Sequence, residues 1–129
     1  MSENFAVEII SPNQSILKTE TEEVTLPSFE GEMGILKDHV SLITFLRPGI
    51  ITIKKDNNET KFFVEEGTVE FSKNNLLILT STAKNLAQLK KNDVNDLIKS
   101  SQEKIEQKDI SDKERYLLSH KIDVLKREN

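Results

Sequence analysis

Residues 30–49, EGEMGILKDHVSLITFLRPG, form the stretch on which the interpretation of the fold depends. The chain has only 4 glycines, and three of them, Gly31, Gly34 and Gly49, lie here. Glycine allows backbone angles and close approaches that a Cβ forbids, and Pro48-Gly49 is a common turn pair before a strand. The stretch therefore predicts a rigid loop with acidic residues at its tip, suited to docking against a partner. The apolar residues that would anchor this loop are Val40, Leu42, Ile43, Phe45 and Leu46.

The composition is that of a well-charged chain of one domain, or of a small domain with an appendage. The 129 residues are 36% hydrophobic and 31% charged, include no cysteine and carry a formal net charge of −4. Disulfide and thiolate chemistry are excluded, and the charge balance argues against a nucleic-acid partner. No apolar run approaches the ~20 residues that cross a bilayer, and the first ten residues lack the features of a secretory signal. Membrane association is therefore expected only through a protein partner.

The two parts of the chain differ in hydrophobic period. Up to about residue 80, apolar and polar residues alternate, as in Phe5, Val7 and Ile9, and turn signals such as Pro12-Asn13 separate the runs. This period of two, with short spacing between runs, predicts an antiparallel β-sandwich or barrel. The runs at 50–53 and 76–79 are apolar on both faces, which predicts strands covered on both sides or a contact with a partner.

After Thr82 the apolar residues recur at helical spacing. Two stripes result, and Ser111 and Glu114 form a capping-box pattern at the start of the second. The short connection at 107–110 predicts an antiparallel pair of helices. The predicted fold class is therefore α+β: a β-sandwich at 1–84 followed by a helical hairpin at 85–129. The apolar residues of the two stripes are Val94, Leu97, Ile98, Ile105, Leu118, Ile122 and Leu125.

The posture of the hairpin is left open by the sequence. Each helix is only ~15 residues long, which is marginal for an isolated helix in water. The hairpin must therefore gain stability from a surface. It is either a fixed appendage of the sandwich or a mobile element that can also bind a partner.

Motifs of chemistry are mostly absent. No phosphate-binding glycine loop is found, and the two histidines, His39 and His120, form no metal-ligand pattern. His39 is expected to be a loop histidine bonded to the backbone. A small hydrolase that uses His39 and Glu32 is kept as a hypothesis, with paired carboxylates at this spacing being a weak sign of acid–base chemistry.

The stretch EGEMGILKDHVSLITFLRPGIITI, residues 30–53, closely resembles the signature of the epsilon subunit of bacterial-type F1Fo ATP synthase. In that family a segment of the form E-G-E-(L/M)-G-I-x-x-x-H-x-x-L-(L/I)-T-x-(L/I)-x-P-G precedes a strand. It maps onto Glu30 to Gly49 without a gap. Residues 7–12, VEIISP, resemble the family's opening strand and turn, and the likeness extends over essentially the whole chain.

The resemblance implies a non-catalytic subunit of the central stalk, without a cofactor. In this family the sandwich binds the gamma subunit and sits on the ring of c subunits. The ring-facing loop would carry Glu30, Gly31, Glu32 and Met33, with His39 nearby. The implied location is peripheral, on the cytoplasmic side of a bacterial inner membrane; a plastid-encoded version is also possible.

The resemblance also implies a regulatory hairpin. In this family the hairpin can leave the sandwich, extend along gamma toward the alpha and beta subunits, and oppose ATP hydrolysis. Basic residues of the second helix could then meet an acidic segment of the catalytic subunits, although a solvated helix face explains most such residues equally well. The candidates are Lys113, Arg115, Lys121, Lys126 and Arg127.

One departure concerns nucleotide binding. Some members bind ATP through a segment of the form (I/L)-D-x-x-R-A, and the aligned residues 89–94 read LKKNDV. Lys90 replaces the acid and Asp93 replaces the arginine, which should weaken phosphate binding. No ATP site is therefore expected. The main alternative to the family function is an adaptor with the same two-part layout that serves an unrelated complex.

Overall fold

The computed structural model describes residues 3–128, and the side chains of residues 3–127. Two α-helices follow the strands: α1 at Lys91–Ile105 and α2 at Asp112–Glu128. A 3-10 turn, Leu86–Gln88, precedes α1. The strands are β1 Phe5–Ile10, β2 Ser15–Thr21, β3 Glu23–Ser28, β4 Gly31–Leu36, β5 Leu42–Leu46, β6 Gly49–Lys55, β7 Asn58–Val64, β8 Gly67–Ser72, β9 Asn75–Leu79 and β10 Lys84–Asn85.

The strands form one curled sheet in the order β10-β7-β6-β3-β5-β8-β9-β1-β2, with β4 paired to β3 off this path. The sandwich-plus-hairpin fold predicted from the sequence is confirmed. The pairing is antiparallel except for β1 and β9, which run parallel from Ala6↔Asn75 to Ile10↔Leu79. Parallel neighbours need a crossover connection, and here nearly the whole sandwich lies between the two strands.

The sheet folds into two layers at the junction of β5 and β6. Strand β3 pairs with β6 through residues 23–25, but with β5 only at Ser28. Strands β5 and β6 therefore act as one strand bent at Arg47 and Pro48. Gly49 makes the bend possible, because a Cβ there would lie 2.4 Å from the Pro27 Cβ. One layer contains β4-β3-β6-β7-β10 and the other β5-β8-β9-β1-β2.

Two hairpin turns have left-handed backbone at both central residues. Asp56 and Asn57 connect β6 to β7, with φ of 50° and 67°, and Lys73 and Asn74 connect β8 to β9, with φ of 51° and 60°. This geometry is that of a type I′ turn, which matches the twist of paired strands.

The core lies between the two layers and is made by the inward-facing half of each alternating strand. Its buried residues include Val7, Ile9, Val24, Leu26, Ile35, Ile51, Val69, Phe71 and Ile78. A second, smaller cluster lies on the outer surface of β6 and β7. There Phe63 and the partly buried Ile50 contact the helices through residues such as Val94, Ile98, Ile122, Val124 and Leu125.

The hairpin packs against the sandwich in this structure, an arrangement called docked below. Helix α2 contacts both α1 and β6, so it buries residues on more than one side of the helix. Ser111 precedes α2, and its Oγ accepts a hydrogen bond from the Glu114 backbone N–H at 3.1 Å. The predicted cap is thus present, but the Glu114 carboxylate accepts from the Ser111 hydroxyl and does not reach back to the Ser111 backbone N–H.

Candidate partner-binding surfaces

The acidic tip of the molecule is a tight turn between β3 and β4. The buried Ser28 hydroxyl accepts from the Glu30 N–H at 3.2 Å and donates to the Gly31 carbonyl at 2.7 Å. Gly31 has a φ of +126°, which glycine adopts readily and other residues rarely do. Glu30 and Glu32 are exposed, so the turn holds two carboxylates outward on a well-fixed backbone.

The prediction that residues 30–33 form a loop is wrong for three of its four residues. Gly31, Glu32 and Met33 belong to β4, whose residues alternate between inward and outward positions. Met33 is half-buried and packs on the sandwich core, so it does not contribute to the tip. The two glycines interrupt the apolar pattern of β4, and the strand period was missed for that reason.

Gly34 has no structural requirement for glycine within this chain. It is exposed in the middle of β4, and a Cβ there would come no closer than 3.9 Å to its nearest neighbour, the Glu23 carboxylate. Its φ lies outside the left-handed range. Strand β4 pairs only with β3, so Gly34 leaves a flat spot on an edge strand.

His39 does not join the acidic tip. It follows the far end of β4, and five residue steps at ~3.4 Å place the strand ends about 17 Å apart. The His39 Nδ1 lies 2.8 Å from the Val40 carbonyl oxygen, and its ring meets Phe71 edge-on at 6.0 Å. This is the backbone-bonded loop histidine expected from the sequence. The predicted grouping of His39 with Glu30 and Glu32 is therefore wrong.

The outer face of the β5 layer carries exposed apolar side chains that the sequence does not predict. The sequence predicts that the apolar residues of 40–46 anchor the loop, but only Leu46 among them is fully buried and Leu42 partly so. Ile43 and Phe45 face outward. Leu79 of β9 lies on the same face, across β8 from Phe45, and Phe29 adjoins Phe45 through its N–H bond to the Phe45 carbonyl at 3.1 Å. We call this surface the apolar face. Its side chains are Phe29, Ile43, Phe45 and Leu79, with exposed fractions of 46%, 70%, 57% and 45%.

A polar groove of about 310 Å³ separates α2 from the sandwich near the bend. Arg47 spans it and donates from Nη1 to the Tyr116 hydroxyl at 3.3 Å, while the Tyr116 ring stacks on His120. Burial lowers the pKa of His120 below its ordinary value of 6.5; the charges of Arg47 and Arg127 lower it further, against the opposing effect of Asp123. Lys61 and Glu32 also line the groove.

The five cations predicted for α2 do not form one free face. Lys121 is buried and pairs with Glu65 of the sandwich. Arg115 donates to the Ile105 carbonyl at the end of α1, so it stabilises the connection between the helices. Lys113, Lys126 and Arg127 are exposed. At 100° per residue, Lys113 and Arg127 lie on the same side of α2, whereas Lys126 lies on another.

The segment that departs from the nucleotide motif forms the start of α1. The Asp93 carboxylate accepts a hydrogen bond from the Lys90 backbone N–H at 3.2 Å. Asp93 thus places its negative charge at the positive end of the helix dipole. The acid that replaces the family's arginine has a local role in capping the helix.

Residues 3–128 contain few groups of side chains that could bind a metal ion or act together in catalysis. No group of three or more His, Asp or Glu side chains in that range could hold a metal ion. None of the helices described there is long and apolar enough to cross a bilayer. Glu32 lies near the start of β4 and His39 follows its end. The two side chains are therefore too far apart to act together, as the hydrolase hypothesis requires. The fold and its surfaces define a protein-binding module built from a sandwich and a docked hairpin.

Comparison with known proteins identifies the family. The model for the delta/epsilon chain of ATP synthase, β-sandwich domain, matches residues 4–86. An ATP synthase epsilon chain of Pelagibacter ubique is 48% identical over 127 residues, which cover 98% of each chain. One from Polynucleobacter necessarius is 40% identical over 78 residues, 60% of this chain and 56% of that one. The chain therefore belongs to the epsilon chains of ATP synthase, and it is a non-catalytic subunit of the rotor stalk.

Solved structures agree on the fold. A chain of the Euglena gracilis mitochondrial ATP synthase, solved with OSCP, F1 and the c-ring, superposes with a TM-score of 0.76 at 16% identity, over 98% of this chain and 79% of that one. A chain of the Tetrahymena thermophila mitochondrial ATP synthase central stalk and c-ring gives 0.68 at 14% identity, over 98% and 96%. The matched 98% of this chain includes the hairpin.

Proposed function

We propose that this chain links the gamma subunit to the c ring, with the apolar face binding gamma. The observation that carries this proposal is the exposure of four large apolar side chains, three on the outer surface of the β5 layer and one in the adjoining β3–β4 turn, where neither of the described helices packs. A group of large exposed apolar side chains, here interspersed with Thr68 and Glu70 of β8, indicates a protein interface. Aromatic side chains such as Phe29 and Phe45 are enriched at the centres of interfaces. The hairpin covers the other layer, so it leaves the apolar face free.

The acidic tip is the part of the chain that meets the polar loops of the c ring. Glu30 and Glu32 are held outward by the Ser28 turn, and Gly34 lets a partner approach the backbone of β4 closely. Charge at such a contact contributes to orientation and association rate more than to affinity. Met33 and His39, which the sequence grouped with the tip, are left out of this contact because one is turned inward and the other lies at the far end of β4.

In this arrangement the chain is peripheral to the membrane, on the cytoplasmic side of the inner membrane. The hairpin, when released, extends toward the alpha and beta subunits and opposes hydrolysis through exposed cations such as Lys113 and Arg127. Hydrolysis by assembled F1 with the full chain or with a truncation after Gln88, which keeps β10, tests this. Inhibition predicts faster hydrolysis on truncation, and an unchanged rate would remove the inhibitory role.

Substitution of Phe45 by Glu tests the binding of gamma. Phe45→Glu places a charge in the apolar face, and we expect loss of co-purification with gamma. Leu36→Glu is the matched control, because Leu36 is 56% exposed on the other layer. Equal binding of gamma by the two variants would contradict the assignment. Co-purification of the parent chain without gamma would favour the adaptor hypothesis instead.

A further inference from the structure

We propose that the ion pair between Glu65 and Lys121 is a latch that sets the posture of the hairpin. While the Glu65 carboxylate is in place, the docked hairpin can bury the Lys121 ammonium; without this carboxylate, the hairpin is driven off the sandwich. This inference rests on the part of the proposed function in which the hairpin leaves the sandwich. It adds the residues that control that step.

Lys121 is buried in the contact between α2 and the sandwich. Its side chain is 9% exposed, and its Nζ pairs with the Glu65 carboxylate, which is 31% exposed. The neighbours of Lys121 on α2, His120 and Ile122, are themselves partly or fully buried. The ammonium is therefore largely removed from water, whereas the carboxylate that it contacts keeps partial access to solvent.

Glu65 is part of a firmly held turn between β7 and β8. Its backbone N–H donates to the Thr82 hydroxyl at 2.9 Å, and Thr82 in turn lies 3.2 Å from the Thr80 hydroxyl. Thr80 donates to the Glu66 carbonyl at 2.6 Å. These bonds fix the segment that carries the carboxylate, so Glu65 offers a preformed site for the ammonium when α2 docks.

The latch follows from the asymmetric cost of burying one charge. Removing one partner of a buried ion pair leaves an uncompensated charge, whereas removing both and filling the space is often neutral. In the released hairpin Lys121 is solvated, and the cost disappears. Loss of Glu65 therefore penalises only the docked posture. Loss of Lys121 leaves a carboxylate that is already a third exposed, and the penalty is smaller.

The same geometry makes docking and partner binding by Lys121 mutually exclusive. In the docked posture the ammonium is held by Glu65 and hidden from any acidic partner. Once α2 leaves, Lys121 becomes available to a carboxylate elsewhere. An acidic partner surface would thus compete with Glu65 for one cation, and that competition shifts the posture by the difference between the two interactions.

The absence of cysteine allows a direct measurement on the full chain. Spin labels at Lys18→Cys on β2 and Lys108→Cys in the connection between the helices report the distance from sandwich to hairpin. Four chains are compared: the labelled parent, Glu65→Gln, Lys121→Met, and the double variant. Lys126→Met, an exposed cation on α2, serves as the control, and circular dichroism and amide NMR spectra verify that the sandwich stays folded.

We expect Glu65→Gln to raise the released population by about tenfold or more. Lys121→Met should release the hairpin less than Glu65→Gln does, and the double variant and the control should keep the distance distribution of the parent. An unchanged distribution in Glu65→Gln would overturn the latch, and so would release of the double variant. The distance measurement uses the isolated chain and needs no synthase. If Glu65→Gln releases the hairpin but truncation leaves ATP hydrolysis unchanged, the latch stands and only the inhibitory role is rejected.

Discussion

Gly49 and Gly34 belong to the same signature stretch, but the fold needs only one of them. Gly49 packs against the Pro27 ring at the bend between β5 and β6, where a Cβ would overlap the ring. We expect Gly49→Ala to lower the free energy of unfolding by about 2–3 kcal/mol, in the range of overpacking a tight site. Urea denaturation followed by circular dichroism gives the value.

Gly34→Ala is the matched control for this prediction. A Cβ at Gly34 would make only an ordinary contact, 3.9 Å from the Glu23 carboxylate, so the free energy of unfolding should stay unchanged or rise by roughly 0.5 kcal/mol from the reduced entropy of the unfolded chain. If Gly34→Ala destabilised the chain as much as Gly49→Ala, the steric account of the bend would be incorrect.

His120 gives docking a predicted dependence on pH. Burial first, and then the charges of Arg47 and Arg127, lower the pKa of His120 in the docked hairpin, despite Asp123. The docked state therefore binds fewer protons than the released state. Docking is fully stabilised above the ordinary pKa of 6.5 and weakens as the pH falls through 6.5 toward the lowered value.

Distances between spin labels at pH 7.5 and pH 5.5 test this prediction. The released fraction should rise at the lower pH in the parent chain, and His120→Gln should flatten the response. Arg127 lines the same groove and lowers the pKa of His120, so Arg127→Gln is a useful comparison that should shift the response without abolishing it. A rise of the same size in His120→Gln would assign the effect to another group.

At the residue scale the sequence predicts burial only where one side of a strand is polar. Phe5, Val7 and Ile9 alternate with less apolar neighbours, and their inward direction is predictable. Both sides of β5 are apolar, so the period of two cannot tell Ile43 and Phe45 from the buried positions. The phase is set by pairing with β8 and by the bend, which are long-range features.

Among the elements, α1 carries the clearest functional prediction. Its first turn holds Asp93 at the position of the arginine in the nucleotide motif considered above, and the Asp93 carboxylate caps the helix. We expect no submillimolar binding of ATP to the isolated chain, because the acid repels phosphate at this position. Isothermal titration calorimetry with ATP decides the point, and a dissociation constant below 1 mM would contradict it.

The helices and most strands were predictable because their patterns are local. The Ser111 cap and the stripes of α1 and α2 are visible in the sequence. Strand β4 was missed because glycines occupy two of its six positions. The parallel pairing of β1 with β9 depends on residues about seventy positions apart, and no local pattern specifies it.

At the scale of the whole molecule, the bend at Arg47 and Pro48 determines how the surfaces are arranged. It turns the β5 layer so that its apolar face points away from the hairpin, which packs on β6 and β7. Glu30 lies at the same end of the sandwich as the bend, and His39 lies at the other end. The sequence predicts the two-part layout. It does not predict how the surfaces are distributed, because that depends on the long-range pairing of β3 with both β5 and β6.

The most direct test of the proposed link is site-specific cross-linking in the assembled ATP synthase. Because the chain contains no cysteine, a photoreactive group can be placed at one position at a time: Phe45→Cys on the apolar face, Glu30→Cys on the tip, and Leu36→Cys as the control. We predict that position 45 captures the gamma subunit, that position 30 captures subunit c, and that position 36 captures neither as efficiently. Capture of subunit c from position 45, or of neither protein from both positions, would contradict the account.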